Sequence, residues 1–196
     1  MKLYLLIFFL FISSITTAQT EIKGVEFPET ITIENDEASL SGVGVRKKLW
    51  VDVYAIGLYH NESTTIAKKI IQSKKPMGVR IQILSRFVAK TKFLDAAQEG
   101  FEKSTHNHTK EIKTKIEYFL SLLDENFTYG DVCDILYHPD TGVKVYRDGE
   151  LQWVIKGTKF KEALYGIWLS DQPVDKDLRY SMIGTNSKGS IAKNNQ

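Results

Sequence analysis

Arg46 is the side chain of this sequence best suited to hold an anion. It closes the run Gly42-Val43-Gly44-Val45-Arg46, and the aromatic run Tyr54-Ala55-Ile56-Gly57-Leu58-Tyr59 follows after a short interval. A guanidinium presents a planar fork that meets a carboxylate through two parallel hydrogen bonds. At the mouth of an apolar cleft, that chemistry anchors the head of an amphiphile. The same arginine could instead snorkel to the edge of a sheet. The residues alone leave both readings open.

Other reactive groups offer less. His106-x-His108 lies in a hydrophilic stretch with no third histidine or carboxylate close by, whereas catalytic zinc takes three protein ligands; a solvated turn is expected, with no metal and no cofactor. Cys133 is the single cysteine, so no intrachain disulfide can form. It sits in the apolar run Val132-Cys133-Asp134-Ile135-Leu136, which suggests a buried, inert thiol. Nucleophile-elbow, phosphate-loop and zinc-helix motifs are missing. Gly42 and Gly44 lie inside a β region and read as a bulge or a point of close backbone approach. Lys and Arg total 26 against 24 Asp and Glu, a net charge of +2. That near balance argues against a nucleic-acid partner, which calls for a strong basic excess.

The elements that must position Arg46 can be read from periodicity. Residues 25–33, broken by Pro28, form an edge strand and a turn. Residues 39–59 carry two β segments that meet near Lys47-Lys48, the second rich in β-branched and aromatic residues. Ser63-Thr64-Thr65 is expected to cap a short helix reaching Gln72, and Gly78 to Leu84 alternates as a strand. Two amphipathic helices follow. One faces inward with Phe93, Ala96, Ala97, Gly100 and Phe101, the other with Ile112, Ile116, Phe119, Leu120 and Leu123. Asp131 to Lys156 reads as a three-strand meander turned at Pro139-Asp140-Thr141-Gly142 and at Asp148-Gly149. Thr158 is expected to cap a helix with Phe160, Ala163, Leu164, Ile167 and Trp168 inward. A last short helix runs from about Asp175 to Ile183 and stops at Gly184. The order of elements indicates an α+β domain, an antiparallel-rich sheet with helices on one face.

The two ends have their own character. Met1-Lys2-Leu3, the apolar run Tyr4 to Ile12 and the small-residue stretch Ser13 to Ala18 have the form of a signal peptide cleaved before Gln19. The run is too short for a membrane span, which needs about 20 apolar residues, so the expected product is exported, to the periplasm or beyond, without a stable membrane span. The organisation is therefore a signal peptide over 1–18, a domain over 19–184 and a flexible polar tail over 185–196.

Gly42-x-Gly44-x-Arg46 with Tyr54-Ala55-Ile56-Gly57-Leu58-Tyr59 closely resembles the strand signature of the chalcone isomerase family. Residues Leu164 to Asp175 (LYGIWLSDQPVD) look like the matching helix and turn of its bacterial, exported, chalcone isomerase-like branch. The resemblance implies an open-faced β-sandwich, a large antiparallel sheet with helices on one face and a ligand cleft between two strands and two helices. It retains the family arginine at Arg46. The family threonine before the Ala-Ile-Gly stretch is Tyr54 here, the catalytic tyrosine and asparagine align with Phe93 and Gly100, and a specificity threonine aligns with Ile167. Phe93 has no hydroxyl and Gly100 has no side chain.

An isomerase of this type must hold a phenolate and polarise a carbonyl, and those donors are missing. The pattern resembles the non-catalytic, fatty-acid-binding members of the superfamily. The expected ligand-binding set is Arg46, Tyr54, Phe93, Gly100 and Ile167, with no catalytic residue. The expected function is binding of a small anionic amphiphile such as a fatty acid. The alternative is an isomerase (intramolecular lyase) acting on an unknown substrate, and a carboxylate or histidine converging on Arg46 would favour it. A scaffold with a filled core and no cleft is the third possibility.

Overall fold

The computed structural model describes residues 19–86, 90–122 and 127–185, without the side chains of 90–93 and 122. The expected signal peptide, Leu123 and positions 186–196 of the expected tail lie outside the described residues. Strands β1 (Gln19–Ile22) and β2 (Val25–Pro28) form a hairpin by themselves. A seven-stranded sheet contains β3 (Thr30–Ile33), β4 (Asp36–Lys48), β5 (Val51–His60), β6 (Met77–Ile83), β7 (Val132–His138), β8 (Gly142–Arg147) and β9 (Glu150–Ile155) in sequence order. Every neighbouring pair is antiparallel. Helix α1 (Ala67–Gln72) joins β5 to β6. Helix α2 (Lys90–Ser104), a 3-10 turn (Lys110–Ile112) and α3 (Lys113–Leu122) lie between β6 and β7, and α4 (Thr158–Leu169) and α5 (Lys176–Met182) follow β9.

Strand alternation sorts the side chains onto two faces. Tyr54, Ile56 and Leu58 of β5, Val79 and Ile81 of β6, Ile135 of β7 and Val145 of β8 all point to the helices and share one buried core with α2, α3 and α4. Phe101, Phe119 and Phe160 lock those three helices together, with ring centroids 5.8–5.9 Å apart, a spacing at which edge and offset contacts are favourable. The Tyr165 hydroxyl reaches the carbonyls of Met77 and Ile135 and pins α4 to the sheet.

The opposite face is partly covered. Val25 and Phe27 of β2 pack against Ala55, and a Cβ on Gly57 would lie 2.7 Å from the Phe27 ring. The absence of a side chain at Gly57 is what lets the hairpin settle there. The fold is thus an α+β open-faced β-sandwich, a large antiparallel sheet with its helices on one face.

Two expected caps are different in the structure. Helix α1 is preceded by Ile66, which makes no side-chain cap; Thr64 Oγ1 instead accepts from the Ile66 amide one residue earlier. Helix α4 starts after Gly157 at φ 122°, again with no side-chain cap. A backbone at that φ suits glycine, and it places Thr158 inside the helix rather than before it. The Asp148-Gly149 turn has φ of 49° and 85°, the positive pair that a tight hairpin requires.

Candidate functional site

Gly42, Gly44 and Arg46 alternate along β4, so all three face the helices. The first two provide clearance for α5. A Cβ at Gly42 would run into the Ser181 carbonyl and lie 2.9 Å from that of Met182; one at Gly44 would lie 2.6 Å from Leu178 Cδ1. The β4–β5 register also slips between Leu40 and Gly42. The glycine pair is therefore both a bulge and a close approach, and it fixes how near α5 sits to the strand.

That placement brings the N-terminus of α5 to Arg46. Asp175 is the N-cap: its Oδ1 accepts from the Leu178 amide at 3.1 Å, the satisfaction of an orphan donor expected at a helix start. Its Oδ2 accepts from Arg46 Nη1 at 3.0 Å. The same Nη1 also donates to the Lys47 carbonyl at 2.6 Å. Arg46 and Asp175 keep 25% and 20% of their side-chain surface exposed. Among the described residues, Nε and Nη2 of Arg46 have no partner. The guanidinium is thus clamped on one side and open along the Nε–Nη2 edge, itself a two-donor fork.

Tyr54 is the register partner of Arg46 on β5, so both side chains lie on the helix face side by side. Its hydroxyl is buried and accepts from Trp168 Nε1 of α4 at 2.9 Å. Burial pushes its pKa up to about 12, against the indole hydrogen bond and Arg46, which lower it. Tyr54 therefore keeps its proton, and among the described residues that proton is donated to no acceptor. Glu99 of α2 lies within the field of the same cluster. Its carboxyl is held below the usual range first by the hydrogen bond from Lys103, with Lys48 and Arg46 adding attraction.

Gly100 and Ile167 meet, but on each other. A Cβ on Gly100 would lie 2.8 Å from Ile167 Cγ2 and 3.4 Å from Val174 Cγ1, and Ile167 is buried. Position 100 is where α2 closes on α4. Phe93 lies on α2 two turns before Gly100, and its side chain is outside the described residues. Asp175 and Trp168 complete the cluster and were not among the expected site residues. Asp175 did carry a local signal, an acid just after Pro173 and before a helix; its pairing with a residue 129 positions away did not.

The other singled-out groups have ordinary surroundings. His106 faces Asp171 and Gln172, and His108 contacts the Thr105 carbonyl. Cys133 is buried, which pushes its thiol up to about 12 and keeps it unreactive. Among the described residues no helix is long and apolar enough to cross a membrane.

The family described as chalcone isomerase-like matches residues 19–184, from the first strand to just past the end of α5. The chain belongs to the chalcone isomerase-like family. A solved fatty-acid binding protein of Arabidopsis thaliana shares the chalcone isomerase-like fold seen here, with a TM-score of 0.67 and 19% identity over 86% of this chain and 97% of its own. No curated protein matches the sequence.

Proposed function

We propose that this chalcone isomerase-like protein is a non-catalytic binder of a small anionic amphiphile such as a fatty acid, with the carboxylate on the open edge of Arg46. The observation that carries the reading is the half-used guanidinium. Nη1 is committed to Asp175 and Lys47, which fixes the orientation of the group, while Nε and Nη2 remain available beside the undonated proton of Tyr54. Three donors at one partly buried corner suit a carboxylate. The fatty-acid binding protein with the same fold supports the ligand class.

A second reading, an isomerase acting on an unknown substrate, draws on Asp175, a carboxylate converging on Arg46. Both of its oxygens are already engaged, one by the α5 cap and one by Arg46, so it is poorly placed to serve as a base. Gly100 supplies no donor, and removal of a single transition-state donor costs about 10²–10³ in rate. We further propose that the protein is exported and begins at or near Gln19, which N-terminal sequencing of the exported fraction tests.

Calorimetric titration with a long-chain fatty acid is the deciding experiment. Arg46→Ala is expected to weaken binding by about 1.5–3 kcal/mol, the scale of a hydrogen bond to a charged group. Arg46→Lys loses affinity as well, since an ammonium has no fork. Equal affinity in parent and Arg46→Ala would remove the anchor. Cyclisation of a chalcone well above the spontaneous rate would favour the enzyme.

A further inference from the structure

The tip of the β4–β5 hairpin carries Lys47-Lys48-Leu49-Trp50, immediately after Arg46. Leu49 and Trp50 are the most exposed large apolar residues described, at 80% and 86%. Leu49 holds a φ of 57°, a left-handed conformation that a leucine adopts only against a steric cost. Lys48 pairs with Val51, so Leu49 and Trp50 form a two-residue hairpin loop to which the positive φ belongs; packing does not explain why those two exposed positions carry leucine and tryptophan.

The surroundings are basic and aromatic. Lys47 and Lys48 flank the pair, and Lys23 joins them through Asp52, which it meets at 3.0 Å and Lys47 at 3.8 Å. Register places the end of β6 and the start of β7 at the same end of the sheet, since Tyr54 pairs with Ile83 and Gln82 with Val132. There the half-exposed Tyr129 has Arg86 stacked 5.3 Å from its ring centre. Asp52 offsets one of these cations, and the nearby Asp131 and Asp148 are paired with Arg147.

We propose that this end of the sheet docks on an anionic lipid bilayer, with Leu49 and Trp50 inserted at the headgroup level. Tryptophan and tyrosine favour that level because one end of each ring is apolar and the other polar, and neighbouring lysines are drawn to anionic headgroups. A stable protein interface buries about 800 Å² on each side, more than a two-residue tip offers, whereas interfacial insertion needs only a few apolar side chains with cations beside them. Docking of this kind would present the Arg46 corner to the bilayer, which in that respect rests on the binding role proposed above.

The test uses the chain from Gln19 onward, which contains every described element, with vesicles of phosphatidylglycerol and phosphatidylcholine or of phosphatidylcholine alone. The parent is expected to float with the anionic vesicles and less with the neutral ones. Its tryptophan emission should shift to the blue, and added salt should weaken binding. Leu49→Ser with Trp50→Ser should lower partition about tenfold or more, a loss of about 1.4 kcal/mol or more, and leave the thermal midpoint and the soluble fatty-acid titration unchanged. Lys47→Gln with Lys48→Gln should erase the preference for anionic vesicles. Equal partition by the parent and the Leu49/Trp50 variant overturns the inference. So does a parent that ignores vesicles yet loses a co-purifying protein on that substitution, which would assign the tip to a protein partner. Vesicle binding that survives when fatty-acid binding is absent removes the ligand proposal and leaves the docking surface standing.

Discussion

Arg46 and Tyr54 have different structural debts, and variants at the two positions should separate accordingly. Arg46 takes part in a partly exposed ion pair, and contacts of that kind contribute about 0–1 kcal/mol, so Arg46→Ala should melt close to the parent while losing ligand. Tyr54→Phe removes the only acceptor that Trp168 Nε1 has among the described residues. A buried donor left unsatisfied costs about 1–3 kcal/mol. Tyr54→Phe should therefore lower stability more than Arg46→Ala, yet weaken fatty-acid binding by only about 0.5–1.5 kcal/mol. Asp175→Asn supplies the complement: the amide oxygen still caps α5, and the negative charge 3.0 Å from the guanidinium is gone. Binding of an anion should stay at least as tight. Loss of binding in that variant would mean that orientation by Asp175 outweighs its repulsion. Thermal melts beside calorimetry read both quantities.

At the scale of elements, the site depends on how α5 lies on β4. The Gly-x-Gly spacing clears one row of the strand, the helix descends into it, and its capping aspartate arrives at the arginine two residues on. A methyl group at Gly42 meets backbone carbonyls of Ser181 and Met182, whereas at Gly44 it meets the Leu178 and Ser181 side chains. Side chains give way more readily than backbone. Gly42→Ala is accordingly expected to destabilise the protein by about 1–3 kcal/mol, and Gly44→Ala by less. Both should disturb ligand binding, because each shifts the α5 segment that borders the Arg46 corner. Chemical denaturation midpoints for the two variants provide the comparison. Equal midpoints would show that α5 is not held by close approach.

For the whole molecule, pH dependence has an identifiable source in Lys161. Its side chain is fully buried, and Nζ donates to the carbonyls of Ile71 and Ser73 at 2.5 and 2.6 Å while lying 4.7 Å from the centre of the Tyr137 ring. Burial lowers its pKa from 10.5 to about 8, against the attraction of Glu162 and Glu62. The folded chain thus gives up this proton before the unfolded chain does. Between about pH 8 and 10.5 the unfolded state holds more protons, and stability from this group rises with pH. Below pH 8 both states are protonated and the cost of the buried charge is present in full. Lys161→Met should abolish that rise, so the difference in unfolding free energy between parent and variant should climb with pH across this window. A difference that stays flat across this window would mean that Lys161 keeps an ordinary pKa.

Local patterning was enough for most of the architecture. Alternation predicts β6, β-branched and aromatic composition predicts β5, turn signals divide β7 to β9, helical spacing predicts α2 to α4, and Gly184 marks the end of α5, because each of those signals acts over a few residues. Glycine at positions 42 and 44 announces a close approach without naming what approaches. The cap at Gly157 was missed because a φ of 122° is imposed by the junction of β9 with α4 and leaves no trace in the Thr158 side chain. The site divides along the same line. That Arg46 suits a carboxylate follows from the guanidinium alone. Which of its edges is free, that Tyr54 is spent as an acceptor for Trp168, and that Gly100 closes on Ile167 depend on side chains between 67 and 129 positions apart in the chain. No local rule reaches that far; only the docking of α4 and α5 on the sheet brings those groups within hydrogen-bond or van der Waals range.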